Sequence, residues 1–276
     1  MEGYGESHGA VTIINAFATG FGAALGIDLK TEVYVRKTGE DTIKSYLNGE
    51  LLMIDHKLVE TIIEEFRRIY GLKDNLEINI YTDIPPEIGL KSSSSVANAL
   101  IIALYDYIGL DYESWDILRL NVDTSLKAGV SKTGALDDAA ASLYGGIVFT
   151  DNYNRKILYR GANINGEVLI FYRESRNPTR RYIDMEFKML RKPVERAIDL
   201  FKRGFWMDAA ILNGLVYASA FGYDLDPLLT SLKLNPLTAG LSGKGPAMYM
   251  IDGGMEEMIR YIDGLMGYRY ILTSTR

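Results

Sequence analysis

The sequence predicts an α+β fold in which strands and helices alternate along the whole chain. Two runs, at residues 32–37 and 76–81, place β-branched or aromatic residues at alternating positions, a pattern typical of strands. Between them, residues 57–70 repeat apolar residues at helical spacing and are followed by Gly71, a common helix stop. Short apolar runs separated by helical patterns recur in the second half, so we expect sandwiched layers of helices and strands throughout.

The remaining elements are predicted from the same periodicities. After a run of four serines, apolar residues recur at three- and four-residue steps as far as Gly109, which predicts a helix. A loop within residues 129–146 leads into a short helix that stops at a glycine pair. The other predicted helices lie at residues 113–127, 183–203, 206–221 and 255–265, and the other predicted strands at 147–150, 168–172, 247–251 and 268–273. A polar, turn-rich stretch at residues 151–165 is the candidate domain boundary.

The composition limits the classes of function. Of 276 residues, 47% are apolar and 24% are charged, which is ordinary for a globular protein. The net charge of −6 disfavours nucleic-acid binding, which usually needs a dense basic face. The absence of cysteine excludes disulfides, thiolate metal sites and cysteine nucleophiles. The first residues, MEGYGESHGA, do not resemble a signal peptide, and no run of about 18 apolar residues occurs, so we expect a cytoplasmic protein without a membrane span.

The segment GLKSSSSVANAL, residues 89–100, predicts a turn that runs into the start of a helix. A helix N-terminus presents unpaired N–H groups, and small residues let a phosphate approach them closely. Gly89 permits the turn, and Lys91 places a cation at its mouth. The residues predicted to hold phosphate are Gly89, Leu90, Lys91, Ser92, Ser93, Ser94 and Ser95. The alternative is that Ser94 or Ser95 merely caps the helix.

Two adjacent carboxylates, Asp137 and Asp138, occur in the segment GALDDAAAS. Neighbouring helical residues point about 100° apart, so we expect one carboxylate to face a site and the other to cap the helix or meet solvent. A carboxylate near an alcohol can accept its proton and orient it during phosphoryl transfer. The alternative is that both aspartates only cap or solvate the helix.

Three segments together resemble the GHMP kinases, named for galactokinase, homoserine, mevalonate and phosphomevalonate kinases. The serine turn and its helix match the central motif P-x-x-x-G-L-x-S-S-[SA], whereas no Walker A loop is present. GAVTIINAFATGFGAALGIDL at residues 9–29 is similar to the first motif, and GLSGKGPAMYM at residues 240–250 is similar to the third. GAALGIDL, GLKSSSSVANAL and KTGALDDAAASLYGG resemble the archaeal-type shikimate kinase branch in particular.

This resemblance implies a two-domain GHMP kinase fold. The N-terminal half would resemble the second domain of ribosomal protein S5 and bind the nucleotide, and the C-terminal half would be ferredoxin-like. The candidate boundary then divides the chain into residues 1–155 and 156–276.

The resemblance also implies roles for particular residues. The family segment G-V-D-N-A aligns with A-L-D-D-A here and makes Asp137 the catalytic base. Relatives pair a serine with a glutamate to hold Mg²⁺, but the matching region, DTSLKAG at residues 123–129, has no glutamate. Asp123 is the nearest carboxylate, and its register is wrong. We therefore assign Mg²⁺ to Ser93 and to the phosphates of ATP.

The substrate is expected to meet the first and third motifs. Asn15 lies where the first motif approaches the substrate, although it could instead be a structural cap. Gly243 and Gly245 would let the backbone approach the substrate or the transferring phosphate. Lys244 could offset phosphoryl charge or be solvated. A substrate carboxylate calls for a cation, and the basic stretch ESRNPTRRY offers Arg176, Arg180 and Arg181, of which we assign Arg180.

The resemblance implies an enzyme that uses ATP and Mg²⁺ to phosphorylate the small molecule shikimate at its 3-hydroxyl. One alternative keeps the fold and changes the substrate to homoserine or a mevalonate-type alcohol. Another is a non-catalytic nucleic-acid-binding protein, because S5-like domains also occur there, although the acidic composition argues against it. The sequence does not indicate an oligomeric state.

Overall fold

The computed structural model describes residues 2–161, 164–174 and 186–276. The elements of the first half are β1 (Glu2–Ile14), β2 (Phe21–Thr38), β3 (Thr42–Leu47), β4 (Glu50–Leu52), α1 (Lys57–Tyr70), β5 (Asn75–Thr82), α2 (Ser92–Ile108), α3 (Ser114–Ala128), α4 (Leu136–Tyr144), β6 (Ile147–Asp151) and β7 (Lys156–Arg160). Those of the second half are β8 (Glu167–Arg173), α5 (Arg191–Lys202), α6 (Trp206–Ala220), α7 (Asp226–Lys233), β9 (Thr238–Leu241), β10 (Met248–Ile251), α8 (Met255–Asp263) and β11 (Tyr268–Ser274).

The strands of the first half form one mixed sheet. Its order is β4-β3-β5-β2-β6-β7, and β1 pairs with β2 off this path. Helix α2 lies directly against β1. A Cβ at Gly5 would overlap the carbonyl oxygen of Ala99, and one at Gly3 would overlap that of Ala103. Glycine is therefore required in β1, because it lets the middle of α2 pack closely on this strand.

The strands of the second half form a four-stranded antiparallel sheet in the order β11-β8-β10-β9. Buried side chains from both sheets belong to one continuous core, in which Ile13 and Ile27 of the first sheet join Phe171 and Tyr249 of the second. This shared core places the end of β1 beside the turn that links β9 to β10. Among the described residues, no helix combines the length and apolar character that crossing a membrane requires.

Most of the elements predicted from periodicity are present. The predicted helix at residues 57–70 is α1, and the helix after the serines ends before Gly109 as predicted. The helix predicted at residues 183–203 is wrong at its start, because α5 begins at Arg191 after a 3₁₀ turn at Phe187–Leu190 and part of the predicted range lies outside the described residues. The elements that we did not predict are β1, the start of β2, β3, β4, β7, α7 and β9.

The chain changes from the first sheet to the second between Arg160 and Glu167. Strand β7, at Lys156–Arg160, pairs with β6 and so belongs to the first sheet. This change falls in the stretch at residues 151–165 but after the predicted division between residues 155 and 156. The division into two domains stays a prediction, and the sheet pairing favours a boundary after β7.

Candidate active site

A cleft with a volume of about 290 Å³ lies where the starts of α2 and α4 meet the end of β1 and the turn after β9. Every predicted site residue that the structure describes lines this cleft, except Ser95. Residues far apart in the sequence, from Asn15 to Gly245, are thereby brought together. The predicted cation Arg180 and its neighbours Arg176 and Arg181 lie outside the described residues.

The start of α2 is open towards the cleft. Lys91 is the N-cap in the left-handed conformation, with φ of 66°, and no side chain of the described residues caps the helix start. Ser94 and Ser95 lie inside the first turn, so the alternative that they cap the helix is wrong. Ser93 is exposed, whereas Ser95 is fully buried and its hydroxyl is out of reach of a ligand in the cleft. The unpaired N–H groups of this turn form a seat for an anion.

Lys91 joins three parts of the cleft. Its Nζ lies 2.9 Å from Oδ1 of Asp138 and donates a 2.6 Å hydrogen bond to Oγ1 of Thr12. The backbone N–H of Gly243 donates to the same Thr12 hydroxyl at 2.8 Å. The Lys91 side chain is only 7% exposed, so its charge is held in place rather than solvated. The serine turn, α4 and the glycine-rich turn are therefore fixed relative to one another.

Asp137 is buried at the start of α4, with 4% of its surface exposed. Its Oδ1 accepts a 2.8 Å hydrogen bond from Nδ2 of Asn152, and a Cβ at Gly22 would overlap its Oδ2. Burial and the adjacent Asp138 carboxylate raise the pKa of Asp137 to about 7, against the opposing effects of Lys91 and Asn152. A carboxyl group with such a pKa can exchange a proton near neutral pH.

The two aspartates have different surroundings, but the second carboxylate does not cap the helix as we expected it could. Both carboxylates line the cleft, and neither is the helix cap, because the N-cap residue is Ala135. Asp138 pairs with Lys91 instead of meeting solvent alone. Asp137 is the more buried of the two, and it is the carboxylate whose pKa is raised.

The glycine-rich turn forms the opposite wall. Gly243 and Gly245 have φ of 59° and 74°, values that side chains rarely adopt, so glycine is needed at both positions. Asn15 is buried, and its Nδ2 donates a 2.7 Å hydrogen bond to the carbonyl oxygen of Gly243. Asn15 thus holds this turn and also lines the cleft, and its contact with a substrate stays a prediction. Lys244 is exposed at the cleft, where desolvation and the neighbouring cations lower its pKa.

The chain is similar to known kinases along its whole length. Residues 57–146 match the family model for the GHMP kinases N terminal domain. A shikimate kinase of Pyrococcus abyssi is 41% identical over 263 residues, which cover 94% of each chain. A shikimate kinase of Pyrococcus furiosus is 38% identical over 280 residues and covers 100% of both chains. The chain belongs to the GHMP kinases, in the branch of the archaeal shikimate kinases. The resemblance predicted from the three motifs is confirmed.

Solved structures of other GHMP kinases share the fold. Mevalonate kinase from Methanococcus jannaschii superimposes with a TM-score of 0.79 and 18% identity, covering 100% of this chain and 99% of the other. Homoserine kinase from Cytophaga hutchinsonii gives a TM-score of 0.73 and 18% identity, covering 100% and 96%. The predicted GHMP kinase fold is therefore confirmed. As a GHMP kinase, the chain uses ATP as its phosphoryl donor.

The cleft of this GHMP kinase offers few side chains that could bind a metal ion beside the nucleotide. Within residues 2–161, 164–174 and 186–276, no cluster of three His, Asp or Glu side chains could hold a metal ion. Asp123, the weak candidate from the sequence, pairs with Arg155 at 2.7 Å and does not line the cleft. The exposed hydroxyl of Ser93 is a hard oxygen ligand of the kind that Mg²⁺ accepts beside phosphates and water.

Two residues that line this kinase cleft, Thr12 and Lys132, and one that lies behind it, Asn152, were missed from the sequence. Thr12 links Lys91 to Gly243, and Asn152 binds Asp137, but neither belongs to a recognisable pattern in the chain. Lys132 is an exposed cation of the cleft with no ion pair in the part of the chain that the structure describes. Its position five residues before Asp137, in the segment GVSKTGALDD, was the one available signal.

Proposed function

We propose that this chain transfers the γ-phosphoryl group of ATP to the 3-hydroxyl of shikimate, giving ADP and shikimate 3-phosphate. The main support is the buried carboxylate of Asp137, whose pKa is raised to about 7 in a cleft beside the open start of α2. The names of relatives that match over more than 90% of the chain supply the substrate.

The start of α2 would hold the phosphates of ATP. Residues 89–94 line the cleft there, with backbone N–H groups and serine hydroxyls available as donors. ATP supplies the phosphoryl group, and Mg²⁺, held by Ser93 and the phosphates, would offset its charge. Lys91 places a fixed positive charge beside this seat, and the cations Lys132 and Lys244 face it from the neighbouring loops. Preorganised charge of this kind stabilises the charge that develops on the transferring group.

Asp137 would act as the catalytic base. In its ionised form it orients the attacking hydroxyl and accepts the proton as the new phosphorus–oxygen bond forms. Oδ1 is engaged by Asn152, and within the described residues no hydrogen bond reaches Oδ2, which leaves Oδ2 for the substrate hydroxyl. The raised pKa suits this role, because a proton acceptor works best when its pKa lies near the working pH.

The glycine-rich turn would contact the substrate. Gly243 and Gly245 expose backbone at the cleft, and Asn15 holds this turn in place. Lys244 offers a cation for the substrate carboxylate or for the transferring group. The assignment of Arg180 to the carboxylate stays a prediction.

The proposal is tested by ADP release from MgATP with shikimate, homoserine or mevalonate supplied singly. Turnover with shikimate alone is the expected result. Turnover with another of these alcohols instead would keep the kinase fold and overturn the substrate. Asp137→Asn is expected to lower kcat about 10²- to 10⁴-fold while nucleotide binding is retained. Asp123→Asn is the matched control, because Asp123 is an exposed carboxylate outside the cleft.

A cytoplasmic location and a small-molecule substrate, without nucleic acid, are parts of the same proposal. Salt-dependent RNA binding without ATP turnover would instead support the nucleic-acid-binding alternative.

A further inference from the structure

A buried amide lies behind the proposed base. Asn152 directly follows β6, and only 2% of its surface is exposed. Its Nδ2 donates to Oδ1 of Asp137 at 2.8 Å, and its Oδ1 accepts a 3.4 Å bond from the Asp137 backbone N–H. The same amide therefore contacts both the side chain and the backbone of one residue. Such a two-point contact fixes the direction in which the carboxylate points.

The orientation of this amide is determined by its partners. Oδ1 of Asn152 accepts a 2.6 Å hydrogen bond from Oγ1 of Thr150, a fully buried hydroxyl in β6. The Asp137 backbone N–H can only donate, and an ionised carboxylate can only accept. Both groups therefore require the amide oxygen and nitrogen to lie as they do. Thr150 is opposite Gly22 in the pairing of β6 with β2, so the hydrogen bonds from Thr150 to Asn152 and from Asn152 to Asp137 start from a residue of the sheet.

We propose that Asn152, held by Thr150, is a positioning residue that aims the Asp137 carboxylate into the cleft and favours its ionised form. The catalytic consequence rests on the proposed function, whereas the effect on the protonation of Asp137 does not. Neither Asn152 nor Thr150 lines the cleft, so both act through Asp137 rather than on the substrate.

The ionised form is favoured because the amide N–H donates a charge-assisted hydrogen bond to it. The charged groups that face Asp137 are Asp138 on the same helix and Lys91 at the start of α2. Asp138 raises the pKa of Asp137, and Lys91 lowers it. Burial, the first cause of the raised pKa of Asp137, is opposed by Lys91 and by the hydrogen bond from Asn152, which is the neutral group among these partners.

The test measures the protonation of Asp137 in the ligand-free protein. Aspartate is labelled with ¹³C at the carboxyl carbon, and the resonance of Asp137 is assigned by its loss in Asp137→Asn. Asn152→Ala is expected to move the titration of this resonance upward by about one pH unit. Thr150→Val, which replaces the hydroxyl with a methyl group, is expected to move it in the same direction by less. Thr150→Ser, which keeps the hydroxyl, is expected to leave it near the wild-type position.

Thr124→Val is the matched control. Thr124 is also a fully buried threonine, but within the described ranges its hydroxyl bonds only to backbone carbonyls of α3. It is expected to leave the titration of Asp137 unchanged. If Asn152→Ala does not fold, the test is the titration of Asp137 in Thr150→Val compared with that in Thr124→Val. An unmoved Asp137 titration in a folded Asn152→Ala or Thr150→Val protein overturns the proposal.

Kinetics then separate this inference from the proposed function. The rising limb of kcat against pH is expected to move upward in Asn152→Ala, with kcat at pH 7 about 10- to 100-fold lower and the KM for ATP little changed. If Asp137→Asn retains activity, the base assignment fails whatever Asn152 does. If Asp137→Asn is inactive while Asn152→Ala keeps the wild-type pH profile, only the positioning role fails.

Discussion

Asp137→Asn is expected to stabilise the fold at neutral and alkaline pH while it lowers kcat. The pKa of the Asp137 carboxyl is raised from its ordinary value of 3.8 to about 7 in the folded protein. Between these values the folded state binds more protons than the unfolded state, so stability falls as pH rises through this window. Asparagine lacks this titration, and its side-chain oxygen can still accept the hydrogen bond from Asn152.

The magnitude follows from the two pKa values. Each pH unit between them corresponds to about 1.4 kcal/mol, which gives roughly 4 kcal/mol for the whole window. The advantage of the variant in the free energy of unfolding should therefore grow from near zero at pH 4 to roughly 4 kcal/mol above pH 7. Because a domain is stable by only about 5–15 kcal/mol, this is a large fraction of the total.

Urea unfolding at intervals from pH 4 to pH 8, followed by circular dichroism, measures this difference. Asp123→Asn is the control, since an exposed ion pair with Arg155 contributes about 1 kcal/mol or less. A stability difference between Asp137→Asn and wild type that stays flat across this range would refute the reasoning. The Asp137 carboxyl would then ionise without opposition from its surroundings.

Three further substitutions test the cleft. Ser93→Ala is expected to raise the KM for MgATP about tenfold without lowering Tm, because the hydroxyl is exposed, and parallel losses in both quantities would contradict this. Lys91→Met is expected to lower both kcat and the free energy of unfolding, the latter by about 3–5 kcal/mol by chemical denaturation, because it leaves Asp138 without its buried partner. Gly22→Ala is expected to lower kcat at least tenfold by displacing the Asp137 carboxylate, whereas Gly39→Ala, with open space around the new Cβ, should retain wild-type kinetics.

Local patterns were sufficient to predict the amphipathic elements and the serine turn. Helix α1 was predicted with its observed bounds, since its buried apolar residues alternate with solvated residues at the helical period. The run of four serines after Gly89 marked the start of α2, because small residues with hydroxyls are favoured where a helix end must stay open to an anion. The buried strand β1 was missed, because glycines required by its contact with α2 interrupt its apolar pattern.

The sequence by itself determined the fold class and the family, since these depend on periodicity and on motifs a few residues long, and the same motifs predict Asp137 as the catalytic base. Only the tertiary structure decided how the cleft is held together. Thr12, Lys91 and Gly243 meet across more than 200 residues of chain, and Asn152 reaches Asp137 from the next strand. These contacts cannot be predicted from local sequence. A hydrogen bond between segments that are distant along the chain produces no periodic pattern in either segment. The raised pKa of Asp137 has the same origin, since burial is a property of the packed core and not of the residues beside it in the chain.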